Sequence, residues 1–148
     1  KTIKEYYRLW SFKHPKPLDF IRTAEKISGL ELNWYLTEWT QTTNTIDYGI
    51  KSIENDGEST KITLERIGEM GMPIDLEVEF IDGTKQQFYI PFRSMLGSKS
   101  TTATKLKDWA WSYPTYEFTI DKTRPSIKSV IIDPKEFMAD VNKENNKI

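Results

Sequence analysis

The sequence predicts an α+β protein. A short N-terminal segment of about three helices (residues 1–43) precedes an antiparallel, Ig-like β-sandwich (44–133) and a polar C-terminal tail (134–148). Two observations carry this. Apolar and aromatic residues recur at three- and four-residue spacing as far as Trp39, and from Ile46 onward the period falls to two. These are the periods of an amphipathic helix and a half-buried strand. A third is the punctuation: prolines and Gly29 separate the helical runs, and tight Asx-Gly turns separate the alternating ones.

Each element has a local cause. Ile3, Tyr6, Tyr7 and Trp10 predict a first helix over roughly Thr2 to Phe12. It ends because His14 precedes Pro15, and a residue before proline avoids the α region. Pro17 suits the first turn of a second helix, where its missing N–H costs nothing. Asp19 there complements the positive end of the helix dipole. Phe20, Ala24 and Ile27 form its apolar stripe, with Ile21 beside them, and Gly29 closes it. Leu32, Tyr35, Leu36 and Trp39 share one face of a third helix, from about Leu30 to Gln41. TQTTNT then ends all helical signal.

The alternating runs follow: Ile62 and Leu64; Leu76, Val78 and Phe80; Phe88, Ile90 and Phe92; Tyr116, Phe118 and Ile120; and a less regular Ile127, Val130 and Ile132. Asp82-Gly83 between two of them signals a hairpin. Short strands at this spacing suit a sandwich. Residues 94–108, rich in Ser, Thr and Lys, read as an exposed loop, and the tail beyond Met138 as a fraying end.

Composition narrows the function. The 21 basic and 22 acidic residues nearly cancel, which argues against a nucleic-acid partner or an anionic membrane. There is no cysteine, so no disulfide or thiolate zinc site. No apolar run approaches the length of a membrane span, and the N-terminus lacks a signal-peptide pattern. The chain opens inside a helical pattern without an initiator Met, which leads one to expect a piece of a longer protein.

Few residues offer chemistry. His14 is the sole histidine and sits in a turn, where a structural role is the better reading. No phosphate-binding glycine loop or nucleophile elbow is present. Glu77 and Glu79 alternate on what reads as a solvated strand face. The remaining candidates are aromatic. Trp109, Trp111 and Tyr113 share one face if DWAWSYPTYEF is extended. That face is core or an interface, and aromatic burial habits favour core. Trp34 and Trp39, like Trp10, carry the same choice and are candidates for interdomain or ligand contact.

The pattern W-x-F-K-H-P-x-P-x-D-F-x-R-x-x-E-x-x-S-G-x-x-L-x-W-Y-x-x-x-W runs from Trp10 to Trp39. It resembles the last helices of the catalytic domain in M1-family zinc metallopeptidases, the gluzincin aminopeptidases. In that family a β-sandwich follows these helices. DYGIKSIE, the IPFR strand end, W-x-W-x-Y-P-x-Y and the closing ADVN-x-x-NN resemble the versions common in Bacteroidetes. The resemblance implies a non-catalytic C-terminal portion whose parent hydrolyses N-terminal peptide bonds with a zinc-activated water. It implies zinc in the parent, a cell-envelope or periplasmic location, and a missing catalytic domain of the same chain as partner.

The family's HExxH motif, its GxMEN motif and its transition-state tyrosine are absent, and Tyr6 and Tyr7 do not stand in for the last. No catalytic or metal residue carries over, and no cofactor is expected in this portion. Lys16 departs from the family's Thr or Ser, which would cap the second helix. If a domain is missing, the helices should leave an apolar patch through which the chain self-associates. The competing expectation is an independent module that grips carbohydrate or peptide through Trp109, Trp111 and Tyr113.

Overall fold

The computed structural model describes residues 1–148. The chain divides into two compact units, Lys1–Thr43 with Arg93–Ser100, and Asn44–Phe92 with Thr101–Ile148. The first holds three helices: α1 (Thr2–Trp10), α2 (Pro17–Ser28) and α3 (Asn33–Gln41). The second holds seven strands: β1 (Tyr48–Asp56), β2 (Ser59–Arg66), β3 (Ile74–Phe80), β4 (Lys85–Ile90), β5 (Thr104–Lys105), β6 (Thr115–Ile120) and β7 (Ile127–Ile132).

In the helical unit, α1 stops at Trp10, two residues earlier than predicted. Phe12 takes a left-handed φ of 61° and lies fully in solvent. The start of α2 is held reciprocally. The Lys16 N–H donates to the Asp19 carboxylate at 2.7 Å, and the Asp19 N–H donates to the Lys16 carbonyl at 2.9 Å. The ammonium of Lys16 has no lone pair, so it cannot accept from the helix N–H groups. Gly29, at φ 72°, closes α2 with its N–H on the Glu25 carbonyl. α3 begins at Asn33 rather than Leu30, and the N–H groups of the residues before it are satisfied outside the helix. Leu32 donates to the Glu25 carboxylate and Glu31 to the Met95 carbonyl. Tyr6 meets Phe20 edge-on at 5.1 Å, joining α1 to α2. Only Ile21 and Thr23 are buried along these three helices. The predicted stripe on α2 is therefore shifted toward Ile21, and the α3 face is left open at Tyr35 and Trp39.

In the second unit the strands form two sheets, β1-β2-β6 and β5-β4-β3-β7. All pairs are antiparallel except β4 with β5, a parallel pair of two residues. The purely antiparallel expectation therefore fails at this edge. Inward residues of both sheets, including Ile62, Leu64, Phe118, Val78, Ile90 and Val130, share one core. Phe88 and Phe118 meet across it at 5.4 Å. The alternation in β3 is complete: Leu76 and Val78 point inward, while Glu77 and Glu79 pair with Lys85 at 2.7 Å and Lys128 at 2.6 Å. Those ammonium groups hold both carboxyls below their ordinary range. The predicted hairpin forms at Asp82-Gly83, where Gly83 has a φ of 81° and the Asp82 carboxylate accepts the Thr84 N–H. The irregular last run becomes β7, whose register against β3 shifts between Glu79 and Phe80.

Two segments differ from expectation. Residues 94–108 are not a plain exposed loop. They contain a 3-10 turn, Arg93–Met95, with Met95 buried, and the short strand β5. The tail does not fray. Val141 donates to the Ile46 carbonyl, and Val130 and Ile148 exchange N–H···O bonds. The buried Asp140 accepts the Tyr48 N–H at 3.1 Å and the Asn142 N–H at 2.9 Å. A carboxylate that satisfies two backbone donors binds this polar tail where hydrophobicity could not.

Candidate functional site

The aromatic segment 109–116 is not extended. Trp109 is anchored by its N–H on the Pro91 carbonyl at 2.8 Å, and a turn follows, closed by the Tyr113 N–H on the Ala110 carbonyl. The turn breaks the alternation, so the three aromatics do not share a face. Trp109 points into the core, edge-on to Tyr48 at 5.4 Å and 5.3 Å from Tyr116. Its indole N–H donates to the Tyr113 carbonyl at 2.8 Å, which satisfies the one polar atom of a buried ring. Trp111 and Tyr113 are left on the surface, 48% and 61% exposed.

Trp111 is held by two contacts. Its indole N–H donates to the Glu69 carbonyl at 2.8 Å, and the Arg66 guanidinium lies 5.0 Å from the ring centre. Arg66 in turn donates to the carbonyls of Gly68 and Trp111. The result is a fixed guanidinium–indole stack beside an exposed phenol. Such a platform can stack a planar or apolar ring face. Tyr48 is buried, donates to the Met72 carbonyl at 3.3 Å and accepts the Met72 N–H at 2.8 Å. Burial pushes its pKa up to about 12. Burial also raises Tyr116 to about 12, with the charge of Asp108 adding to it. Both phenols are therefore neutral scaffolding at physiological pH.

The other candidates belong to the helical unit. Trp34 is half-buried, with its indole N–H on the Glu31 carbonyl at 2.8 Å and its ring edge-on to Tyr35 at 5.6 Å. Trp39, half exposed, lies 5.9 Å from Tyr35. Trp10 is half-buried, with the Lys13 ammonium 5.9 Å from its ring. The four α3-side and α1-side rings thus line one unit while Trp111 and Tyr113 mark the other.

No catalytic set emerges. His14 is exposed in the turn before Pro15, and no three of its imidazole and the carboxylates converge as metal ligands. No helix is long and apolar enough to cross a membrane. Sequence reasoning missed Arg66. Its signal was weak, since an arginine at a strand end carries no pattern, and its partner Trp111 lies 45 residues away. Comparison of the chain with protein-family models, curated proteins and solved structures found no match.

Proposed function

We propose that the chain is the non-catalytic C-terminal portion of an M1-like zinc aminopeptidase, whose helices complete and support a catalytic domain. The observation that carries the reading is the apolar exposure of the helical unit. Ile3, Tyr7, Tyr35 and Trp39 stand out in solvent, and the three helices bury almost nothing of their own. Short helices draw their stability from packing an apolar face against something. The motif from Trp10 to Trp39 supplies the identity of that something by resemblance. On this reading the strand unit is an Ig-like β-sandwich, supported by two sheets around a shared core. Zinc resides in the parent: one imidazole and no converging ligand group do not fit a zinc site here. That apolar exposure also makes self-association of the isolated chain the expected outcome at high concentration.

The test is the natural protein itself. Its intact mass and the sequence upstream of Lys1 should reveal HExxH with a downstream glutamate, and the whole protein should release N-terminal residues from peptides. An upstream sequence lacking that motif would overturn the reading.

A second reading rests on Trp111 and Tyr113. A fixed, exposed guanidinium–indole stack suits an independent module for carbohydrate or peptide. Saturable glycan or peptide binding by the isolated chain, lost on Trp111→Ala, would favour it. Binding unaffected by that change would remove it.

A further inference from the structure

A groove of about 510 Å³ runs between α1 and α2, inside the helical unit. That size lies in the range of ligand clefts, ~300–1,000 Å³. Its wall is formed by Leu9 and Ile27, both half-buried, and by the stems of long cationic side chains. Its rim carries Lys1, Lys4, Arg8 and Lys26 against a single carboxylate, Glu5. Glu5 is already engaged: the Arg8 guanidinium grips both its oxygens, one at 2.8 Å. Lys1, Lys4 and Lys26 are in no ion pair within this groove. The rim therefore has a net charge of +3 in a chain whose total is −1. The spacing Lys1, Lys4, Arg8 is helical, so this stripe is written into KTIKEYYR on the flank of α1 that borders α2.

We propose that this groove docks an acidic amphipathic peptide segment, with apolar side chains seated on Leu9 and Ile27 and carboxylates on Lys1, Lys4 and Lys26. Charge complementarity selects the partner. The apolar floor selects a peptide over a bare polyanion, because a phosphate chain would leave Leu9 and Ile27 uncovered. An anionic bilayer is the rival occupant that basic amphipathic surfaces also attract, and vesicles are included in the test to separate the two. The surface belongs to the helical unit and Trp111 and Tyr113 to the other, and the proposal holds whether or not the parent is a peptidase, since the upstream sequence decides the one and binding decides the other.

The experiment titrates the 148-residue chain against a short fluorescein-labelled peptide of leucine and glutamate at helical spacing, read by anisotropy. The same peptide with lysine for glutamate, a glutamate homopolymer and phosphatidylserine vesicles serve as rivals. The leucine–glutamate peptide should bind, weaken with added salt, and lose about tenfold or more in affinity in Lys4→Glu/Lys26→Glu, roughly 1.4 kcal/mol. Both lysines are exposed, so the fold should survive. If circular dichroism shows that it does not, Lys4→Gln/Lys26→Gln repeats the measurement with a smaller loss expected. Unchanged binding in the variant that folds, equal binding of the lysine peptide or the homopolymer, or retention by vesicles alone would each overturn the proposal.

Discussion

Replacing Asp140 by alanine should loosen the whole C-terminal tail. Its two carboxylate oxygens accept two backbone N–H groups, from Tyr48 at 3.1 Å and Asn142 at 2.9 Å. The Tyr48 donor lies at the buried start of β1, so without Asp140 it has no solvent to turn to. A stranded buried donor costs about 1–3 kcal/mol. The Asn142 donor is exposed enough to take water and adds of order 0.5–1 kcal/mol net. Together the loss is about 3 kcal/mol, which for a unit of this size lowers the melting temperature by of order 10 °C. Asp140→Asn keeps one acceptor and presents its amide NH2, itself a donor, to the other N–H, so it should lose roughly half as much. Urea denaturation followed by circular dichroism measures both, and trypsin cleavage at Lys143 and Lys147 should quicken in step. If Asp140→Ala changes stability by less than ~0.5 kcal/mol, the size of an ordinary surface change, the carboxylate is not the anchor.

Three further outcomes are expected. Lys16→Thr should supply the side-chain acceptor that α2 lacks and raise stability by about 1 kcal/mol, visible as a higher melting temperature; no change or a fall would refute it. Tyr48, raised to about 12 in the folded state from an ordinary 10, favours folding only while it stays neutral in both states. That contribution is intact below pH 10 and is lost as pH climbs toward 12, by up to about 3 kcal/mol. A flat urea midpoint across that window would show the phenol is less enclosed than it looks. Arg66→Ala removes two carbonyl contacts and the stack on Trp111, a loss of about 1–2 kcal/mol together. A red shift of Trp111 emission should accompany it, and an unchanged spectrum would mean the indole is held by Glu69 alone.

Much of the fold was legible because its causes are local. Pro15, Pro17 and Gly29 bound α2, and the two-residue period of Leu76, Val78 and Phe80 names β3 and its inward face. What was not legible depends on distant partners. Leu30 to Leu32 look helical, yet this stretch is tied instead to the Met95 carbonyl through Glu31 and to the Glu25 carboxylate through Leu32. The tail looks solvated because its anchor is a charged residue, and charge in a tail ordinarily means water. For the candidate site, sequence named the right aromatics but not their directions. Trp109 and Trp111 share a parity, yet the turn closed by Tyr113 sends one inward and one outward. Arg66 and the cationic rim of α1 were missed for opposite reasons. The first pairs only across 45 residues, and the second was hidden in a near-zero total charge.

The Met95 carbonyl that receives the Glu31 N–H has a temporal consequence. The helical unit draws on Arg93–Ser100 as well as on the first 43 residues. During synthesis its three helices emerge first but stay unfinished until β1 to β4 have left the ribosome and the chain has come back with Met95. The strand unit is likewise interrupted and resumes only at Thr101. In the order of translation the helical unit is therefore completed only after β1 to β4 have been made. A gene cut after Thr43 would release helices deprived of a bond they wait for, and a strand unit still carrying the piece that was meant to close them.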